Sequence, residues 1–134
     1  MSESNLATVR RLYAFLAEDD FEQANRMMAD DVVFNESTDL PYGGEYRGVA
    51  GLDTLMGKIA ERAKISVDKA NFLTEAETAC PVVVQVAARF VSNDTGTAVV
   101  ADIIELVYVR DGRIAKIDIY CKKPSAIAAL WPQQ

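Results

Sequence analysis

The sequence predicts a single α+β domain in which helices come first and an antiparallel meander follows. Apolar residues recur at helical spacing up to about residue 63, and from Ile65 onward they alternate with a period of two. Turn signals, SNDTG at 92–96 and RDG at 110–112, separate the alternating segments. We therefore expect helices on one face of one sheet. The 134 residues, half of them hydrophobic and a quarter charged, fit one globular domain over 1–134.

Two helices are predicted at the start of the chain. The first covers roughly 5–18, and its apolar side consists of Leu6, Val9, Leu12, Tyr13 and Leu16. Asp19 and Asp20 break this helix, and Asp20 caps a second one. That second helix is predicted to have Phe21, Ala24, Met27 and Met28 on its apolar side and to end at Asp30-Asp31.

A short strand, a loop and a third helix are predicted next. In the strand, over 32–37, Val32, Phe34 and Glu36 share one face. The segment 38–48, TDLPYGGEYRG, is rich in turn residues and is predicted to be a loop. The third helix covers roughly 52–63, with Leu52, Leu55, Met56, Ile59 and Ala63 on its apolar side.

Four strands and a closing helix complete the prediction. The strands cover 65–75, 81–91, 97–109 and 113–122, and the Asp-Gly pair before the last one is typical of a type I′ hairpin turn. On the last strand the pattern points Ile117, Ile119 and Cys121 inward. The tail, PSAIAALWPQQ, predicts a short helix that covers an open end of the sheet.

Charge and composition argue against several classes of partner. The net charge of −6 lacks the basic balance that nucleic-acid binding requires, and it disfavours anionic membrane surfaces. The N-terminal segment MSESNLATVRRL has no apolar core typical of a signal peptide, and no apolar run approaches the length of a membrane span. We therefore expect a cytoplasmic protein.

The chain contains no histidine, which removes His-based triads and the common zinc and iron sites. We accordingly expect no metal and no cofactor, with any chemistry carried by carboxylates, tyrosine, lysine, arginine or cysteine. Cys80 and Cys121 lie far apart and are not in a CxxC motif. Two buried thiols are preferred over a disulfide, which stays possible on sequence grounds.

Three segments, in this order, resemble the SnoaL-like and ketosteroid isomerase-like branch of the nuclear transport factor 2-like superfamily. They are VRRLYAFLAEDDFEQANRMMADDVVF at 9–34, LPYGGEYRGVAGLDTL at 40–55 and IIELVYVRDGRIAKIDIY at 103–120. The resemblance spans about residues 6–122. It implies a cystatin-like curved antiparallel sheet packed on about three N-terminal helices and enclosing an apolar pocket. This fold hosts isomerases, cyclases, hydrolases, dehydratases and non-catalytic modules, so it does not settle function.

Glu36 and Glu105 are the candidate catalytic residues. Glu36 points inward with Phe34, and Glu105 shares a strand face with Ala101, Ile103, Val107 and Val109. A carboxylate among apolar neighbours must be paired, hydrogen-bonded, protonated or next to a wet pocket. By the resemblance, Glu36 stands where relatives have a proton-shuttling aspartate and Glu105 where they have a protonated aspartic acid. The structural alternatives pair Glu36 with Arg47 or a backbone amide, and Glu105 with Tyr42, Tyr46 or Arg89.

The sequence also departs from the family pattern. Both carboxylates are glutamates, and the oxyanion-binding tyrosine of ketosteroid isomerase-like members falls on Leu12. Tyr13 lies about 100° further round the helix and is not expected to replace it. These differences argue against steroid isomerisation. The predicted substrate-binding residues are Tyr13, Phe34, Tyr42, Tyr46, Phe90, Ile103 and Ile119.

The leading functional hypothesis is a pocket protein for a small apolar, carbonyl-bearing organic molecule. As an enzyme it would be a cofactor-free isomerase, cyclase or dehydratase, with Glu36 as base and Glu105 as acid. The alternative is a non-catalytic ligand-binding or dimeric protein-interaction module. The outward sheet face is too apolar for open water and predicts a homodimer. Its apolar residues are Val83, Val91, Val100, Ile104, Leu106, Tyr108 and Tyr120.

Overall fold

A computed structural model describes residues 3–131 and shows an α+β domain in which a six-stranded sheet packs against helices. The helices of this region are α1 (Asn5–Ala17), α2 (Phe21–Arg26), α3 (Gly48–Ala60) and α4 (Pro124–Ala128). The strands are β1 (Met28–Glu36), β2 (Gly44–Arg47), β3 (Ala63–Phe72), β4 (Val82–Ser92), β5 (Ala98–Arg110) and β6 (Arg113–Cys121).

The first helix forms as predicted. The backbone N–H of Ala7 donates to Oγ of the N-cap residue Ser4 (3.1 Å), which satisfies one of the free donors at the helix start. Its buried side consists of Leu6, Thr8, Val9, Leu12 and Tyr13. At the other end Asp19 adopts a left-handed backbone conformation (φ 57°), which turns the chain into α2.

The second helix is shorter than the sequence pattern predicts. It ends at Arg26, and Met28 already belongs to β1, which contains Asp30 and Asp31 as well. The backbone N–H of Ile114 on β6 donates to the carbonyl of Met27 (2.9 Å). Because the chain pairs with β6 from this point, the helix does not continue. Phe21 does not pack on the core as predicted: half of its surface is exposed.

The segment predicted as a loop contains an additional strand, β2. It pairs antiparallel with the end of β1, with Glu36 opposite Gly44 and Phe34 opposite Tyr46. Its four residues lie at the edge of the sheet. So short a strand within a turn-rich segment has no clear strand pattern in the sequence. The third helix then begins at Gly48, four residues earlier than predicted.

The strand order is β2-β1-β6-β5-β4-β3. Four of the five neighbouring pairs are antiparallel, and β1 and β6 run parallel, so the sheet is mixed and not wholly antiparallel as expected. The turn between β5 and β6 has positive φ at both Asp111 (52°) and Gly112 (75°), as a type I′ turn requires.

The core lies between the inner face of the sheet and the helices. The helix α1 packs on β3, β4 and β5, and α3 packs on β1, β2 and β3. Ile127 of α4 is fully buried, so the predicted closing helix does contact the core. None of the helices within residues 3–131 is long and apolar enough to cross a membrane. Both cysteines are free thiols, and Cys80 is exposed where the sequence predicted burial.

Candidate functional site

The two candidate carboxylates lie in one row across the inner face of the sheet. Glu105 on β5 pairs with Ile119 on β6, and Asn35 on β1 pairs with Asp118, which brings Glu36 next to Ile119. Both glutamates therefore flank Ile119. Because neighbouring strands are about 4.8 Å apart, their Cα atoms are separated by roughly 10 Å.

Glu105 has a partner that the sequence analysis did not foresee. The hydroxyl of Tyr13 donates a hydrogen bond to Oε1 of Glu105. The sequence placed Tyr13 about 100° round the helix from Leu12 and gave no indication of this contact with Glu105. The helix α1 packs across β5, and the ring of Tyr13, held edge-on by Phe72 (centroids 5.7 Å apart), is long enough to reach the carboxyl.

The other oxygen of Glu105 borders accessible space. Among residues 3–131, Oε2 of Glu105 accepts no hydrogen bond, and Glu36 makes none through a neighbouring side chain. Yet no side-chain oxygen or nitrogen in this region is both fully buried and unpartnered. The free oxygens must therefore face a space that a solvent molecule can touch, as expected of groups that line a recess.

The electrostatics of the site favour retention of a proton at neutral pH. Burial, with a further contribution from the charge of Glu105, raises the pKa of Glu36 to about 8. Burial also raises the pKa of Glu105, although the hydrogen bond from Tyr13 acts in the opposite direction. Because the two carboxyls repel each other when both are ionised, the pair holds at least one proton near pH 7.

Tyr42 and Cys121 complete the surroundings of Glu36. Tyr42 is almost fully buried, and burial followed by the charge of Glu36 raises its pKa. Burial, and to a smaller extent Glu36, raises the pKa of the Cys121 thiol. The Tyr42 ring packs against Trp131 with ring centroids 5.3 Å apart. Tyr42 and Trp131 thus form an aromatic contact between the β1–β2 loop and the C-terminal segment, and we call it the aromatic cover.

Two polar contacts hold the loop that carries Tyr42. The hydroxyl of Tyr46 donates to the carbonyl of Tyr42 (2.7 Å). The ammonium of Lys58 on α3 lies over the Tyr46 ring and donates to its hydroxyl (3.3 Å). Tyr46 is therefore buried and holds the backbone of the loop at Tyr42 through its hydroxyl group.

The remaining predicted site residues divide into two groups. Ile119 lies in the carboxyl row itself, while Phe34, paired with Ile117, and Ile103, paired with Cys121, lie in the rows on either side of it. Phe90 is buried in the core but lies six residues beyond Val84, the β4 partner of Glu105. This spacing corresponds to about 20 Å along the strand, so the structure does not bring Phe90 to the carboxyl pair.

The structure does not support the ion pairs considered for the two glutamates. Arg47 pairs with Glu45 (2.5 Å), and Arg89 pairs with Asp68 (3.5 Å). Both of these are partly exposed surface pairs. Within residues 3–131 neither Glu36 nor Glu105 forms an ion pair, so hydrogen bonding and protonation are what compensate their burial.

Glu36 reaches an open groove of about 370 Å³ at the ends of β1 and β6. The groove is lined by Asn35, Glu36, Ser37, Thr38, Asp39, Asp118, Ile119 and Tyr120. Asn35 Nδ2 donates to Asp118 Oδ1 (2.8 Å) and fixes one wall. In the part of the chain that the structure describes, no three His, Cys, Asp or Glu side chains come together in a way that could hold a metal ion.

Sequence comparison identifies the family. Residues 9–117 match the SnoaL-like domain, which is most of the chain. The chain belongs to the SnoaL-like family. No functionally curated protein matches it.

Solved structures of the SnoaL-like fold superpose well. A nuclear transport factor 2-like protein from Burkholderia xenovorans is 24% identical, with a TM-score of 0.76 and 94% of each chain covered. A proposed polyketide cyclase from Xanthomonas campestris is 18% identical, with a TM-score of 0.76 over 95% of this chain and 96% of that one. TerC, co-crystallised with polyporic acid, is 19% identical, with a TM-score of 0.78 over 94% and 96%. At these identities the structures establish the fold, which confirms the predicted nuclear transport factor 2-like architecture.

Proposed function

We propose that this SnoaL-like protein binds a small, uncharged, carbonyl-bearing organic molecule and catalyses cofactor-free proton transfer on it. The observation that carries the proposal is the row formed by Glu36, Ile119 and Glu105 on the inner face of the sheet. Two carboxyl groups with an apolar residue between them suit a ligand whose carbon skeleton rests on Ile119. The reaction would be an isomerisation, a cyclisation or a dehydration.

The proposed chemistry needs one base and one acid. The reactive form is the one in which the proton of the pair lies on Glu105. Glu36 as carboxylate then removes a proton from a carbon next to the ligand carbonyl, and protonated Glu105 donates a hydrogen bond to the oxygen as charge develops there. In an isomerisation Glu36 then returns the proton at another position, and in a dehydration a hydroxyl group of the ligand leaves with the proton as water, so no external reagent is consumed. A raised pKa makes Glu36 a stronger base than an ordinary carboxylate, because basicity rises with the pKa of the conjugate acid.

The charges at the site favour an uncharged ligand. Neither Glu36 nor Glu105 has an ion-paired cation among residues 3–131, and Glu36, Asp39 and Asp118 line the groove. An anionic ligand would be repelled unless it arrived protonated. Ile119 and Tyr120 add apolar and aromatic surface to the groove. The complex of TerC with polyporic acid supports binding of an organic molecule by this fold, and we extend that to this chain.

A direct test is deuterium exchange into 2-tetralone, an apolar bicyclic ketone with acidic carbon-bound protons. We expect the protein to accelerate exchange in D₂O, followed by proton NMR. Glu36→Gln should reduce the rate by about 10²–10⁴-fold, the usual contribution of a general base. Binding can be followed separately through quenching of Trp131, which is the only tryptophan in the chain.

The matched control is Glu45→Gln on the neighbouring strand β2, where the carboxylate is half exposed and pairs with Arg47. This variant should exchange 2-tetralone as fast as the unchanged protein. Binding of 2-tetralone without accelerated exchange would contradict catalysis and support the alternative of a non-catalytic ligand-binding module. Equal exchange rates for Glu36→Gln and Glu45→Gln would remove Glu36 from the mechanism.

We also propose that the chain forms a homodimer through the outer face of the sheet. On this face Val100 and Tyr120 are 42% and 57% exposed, and Ile104 pairs with Tyr120 to give an apolar patch, with exposed Asp102 between Ile104 and Val100. Covering such a patch with a second copy would remove apolar surface from water.

A further inference from the structure

Tyr13 contacts Glu105 in a way that its place in the core does not require. The ring packs edge-on against Phe72 and is 93% buried, so a phenylalanine would fill the same space. Packing alone therefore does not explain why this position carries a hydroxyl group. Its only proton is donated to Oε1 of Glu105, and Tyr13 therefore cannot donate to a ligand at the same time.

The hydrogen bond distinguishes the two oxygens of the Glu105 carboxyl. In a protonated carboxyl one oxygen is an acceptor and the other carries the proton. Because Oε1 accepts from Tyr13, it takes the acceptor role. Oε2 accepts no hydrogen bond in the described part of the chain and is not fully buried, so it is the oxygen left free for a ligand.

We propose that Tyr13 is a positioning residue, whose hydroxyl engages Oε1 of Glu105 so that the carboxyl proton is held on Oε2, the oxygen that faces the ligand. This inference rests on the proposed function, since it assigns Glu105 the donor role. The terminal torsion of a glutamate is broad and roughly two-fold, so the carboxyl has no intrinsic preference between its two orientations. Tyr13 supplies that preference and acts on the reaction only through Glu105.

The titratable groups that face this pair come from several elements. Glu36 from β1 interacts with Glu105 through its charge, Tyr42 from the β1–β2 loop and Cys121 from β6 interact with Glu36, and Val84 on β4, opposite Glu105, is apolar. The guanidinium of Arg10 lies over the Phe72 ring, 5.5 Å from its centroid, and among residues 3–131 it forms no ion pair with Glu105. Tyr13 is thus the hydrogen-bond donor to Glu105 among the described side chains.

The test is a titration of the glutamate carboxyl carbons by carbon-13 NMR in the absence of ligand. In Tyr13→Phe we expect the pKa of Glu105 to rise, because the hydrogen bond that stabilises its ionised form is lost. The pKa of Glu36 should fall, because Glu105 then stays neutral over a wider pH range. Replacement of Tyr13 by 3-fluorotyrosine, a more acidic donor, should shift both values in the opposite directions.

Unchanged titration of Glu105 in both variants would overturn the proposal. The fluorinated side chain keeps the shape of tyrosine, so it decides the matter even if Tyr13→Phe folds poorly. If the unchanged protein exchanges 2-tetralone, Tyr13→Phe should lower the rate by about tenfold, the effect of one hydrogen bond, and an unchanged rate would contradict positioning. If the unchanged protein does not exchange 2-tetralone, the proposed function fails while the opposite pKa shifts still test the contact.

Discussion

At the scale of single residues, Glu36 contributes to the pH dependence of the stability of the fold. Its pKa rises from 4.5 to about 8 on folding, so between these values the folded state holds a proton that the unfolded chain has lost. Stability therefore falls as pH rises through this window, with a slope approaching about 1.4 kcal/mol per pH unit, and the loss is complete above the folded pKa.

The prediction for Glu36 can be checked by urea unfolding of the unchanged protein and of Glu36→Gln at several pH values. The difference between the two free energies of unfolding should shift steadily in favour of Glu36→Gln from about pH 5 to pH 8. Groups remote from the pair, such as Glu3 beside Arg11, titrate in both proteins and cancel in this difference. A difference that does not change with pH would show that Glu36 is not desolvated.

At the scale of elements, the loop that carries Tyr42 depends on Gly43. A Cβ atom at Gly43 would lie 2.3 Å from the carbonyl oxygen of Ser37 and 2.7 Å from the Cα of Thr38, both of which are backbone atoms. Gly43→Ala should therefore displace the loop, destabilise the protein by about 1–3 kcal/mol and change the fluorescence of Trp131. Thermal unfolding and emission spectra would measure both effects.

Gly57 on α3 is the matched control for Gly43, because a Cβ atom there meets nothing within 4 Å. Gly57→Ala should stabilise the protein by up to about 1 kcal/mol, since alanine has the higher helix propensity. If Gly43→Ala stabilised the protein as Gly57→Ala does, the loop would be able to accept the additional Cβ atom, which would contradict its close packing around Tyr42.

The closing helix α4 offers a second prediction at this scale. Ile127 is fully buried although the helix has only five residues, so its attachment depends on this side chain. Ile127→Ala should cost about 2–5 kcal/mol of stability and loosen Trp131 from Tyr42. Ser125→Ala, on the exposed side of the same helix, should change stability by less than about 0.5 kcal/mol. Equal effects would show that α4 does not contribute to the core.

At the scale of the whole molecule, the prediction concerns assembly. If the outer face of the sheet joins two copies, Val100→Lys and Tyr120→Lys should halve the mass measured by light scattering, because each places a charge in the buried patch. Phe21→Lys removes an equally exposed apolar side chain from α2, away from the sheet, and should leave the mass unchanged. A monomeric unchanged protein would contradict the proposed dimer.

The order of elements was determined by the sequence itself. Helical spacing in α1, period-two alternation in β4 and the Asp111-Gly112 turn each reflect a local rule, in which side chains select a conformation within a few residues. The inward orientation of Glu36 and Glu105 follows from the same alternation. The family, too, could be identified from local segments, because their order and spacing persist where single residues change.

Tertiary structure alone decided what these local rules leave open. Strand pairing with β6 ended α2 at Arg26 and recruited Met28 into β1, and the edge of the sheet made a strand of Gly44–Arg47. It also separated Phe90 from the carboxyl pair and brought Tyr13 to Glu105 across 92 positions of sequence. The reach of a side chain across a packed interface depends on how α1 lies on the sheet, and no pattern within one segment contains that information.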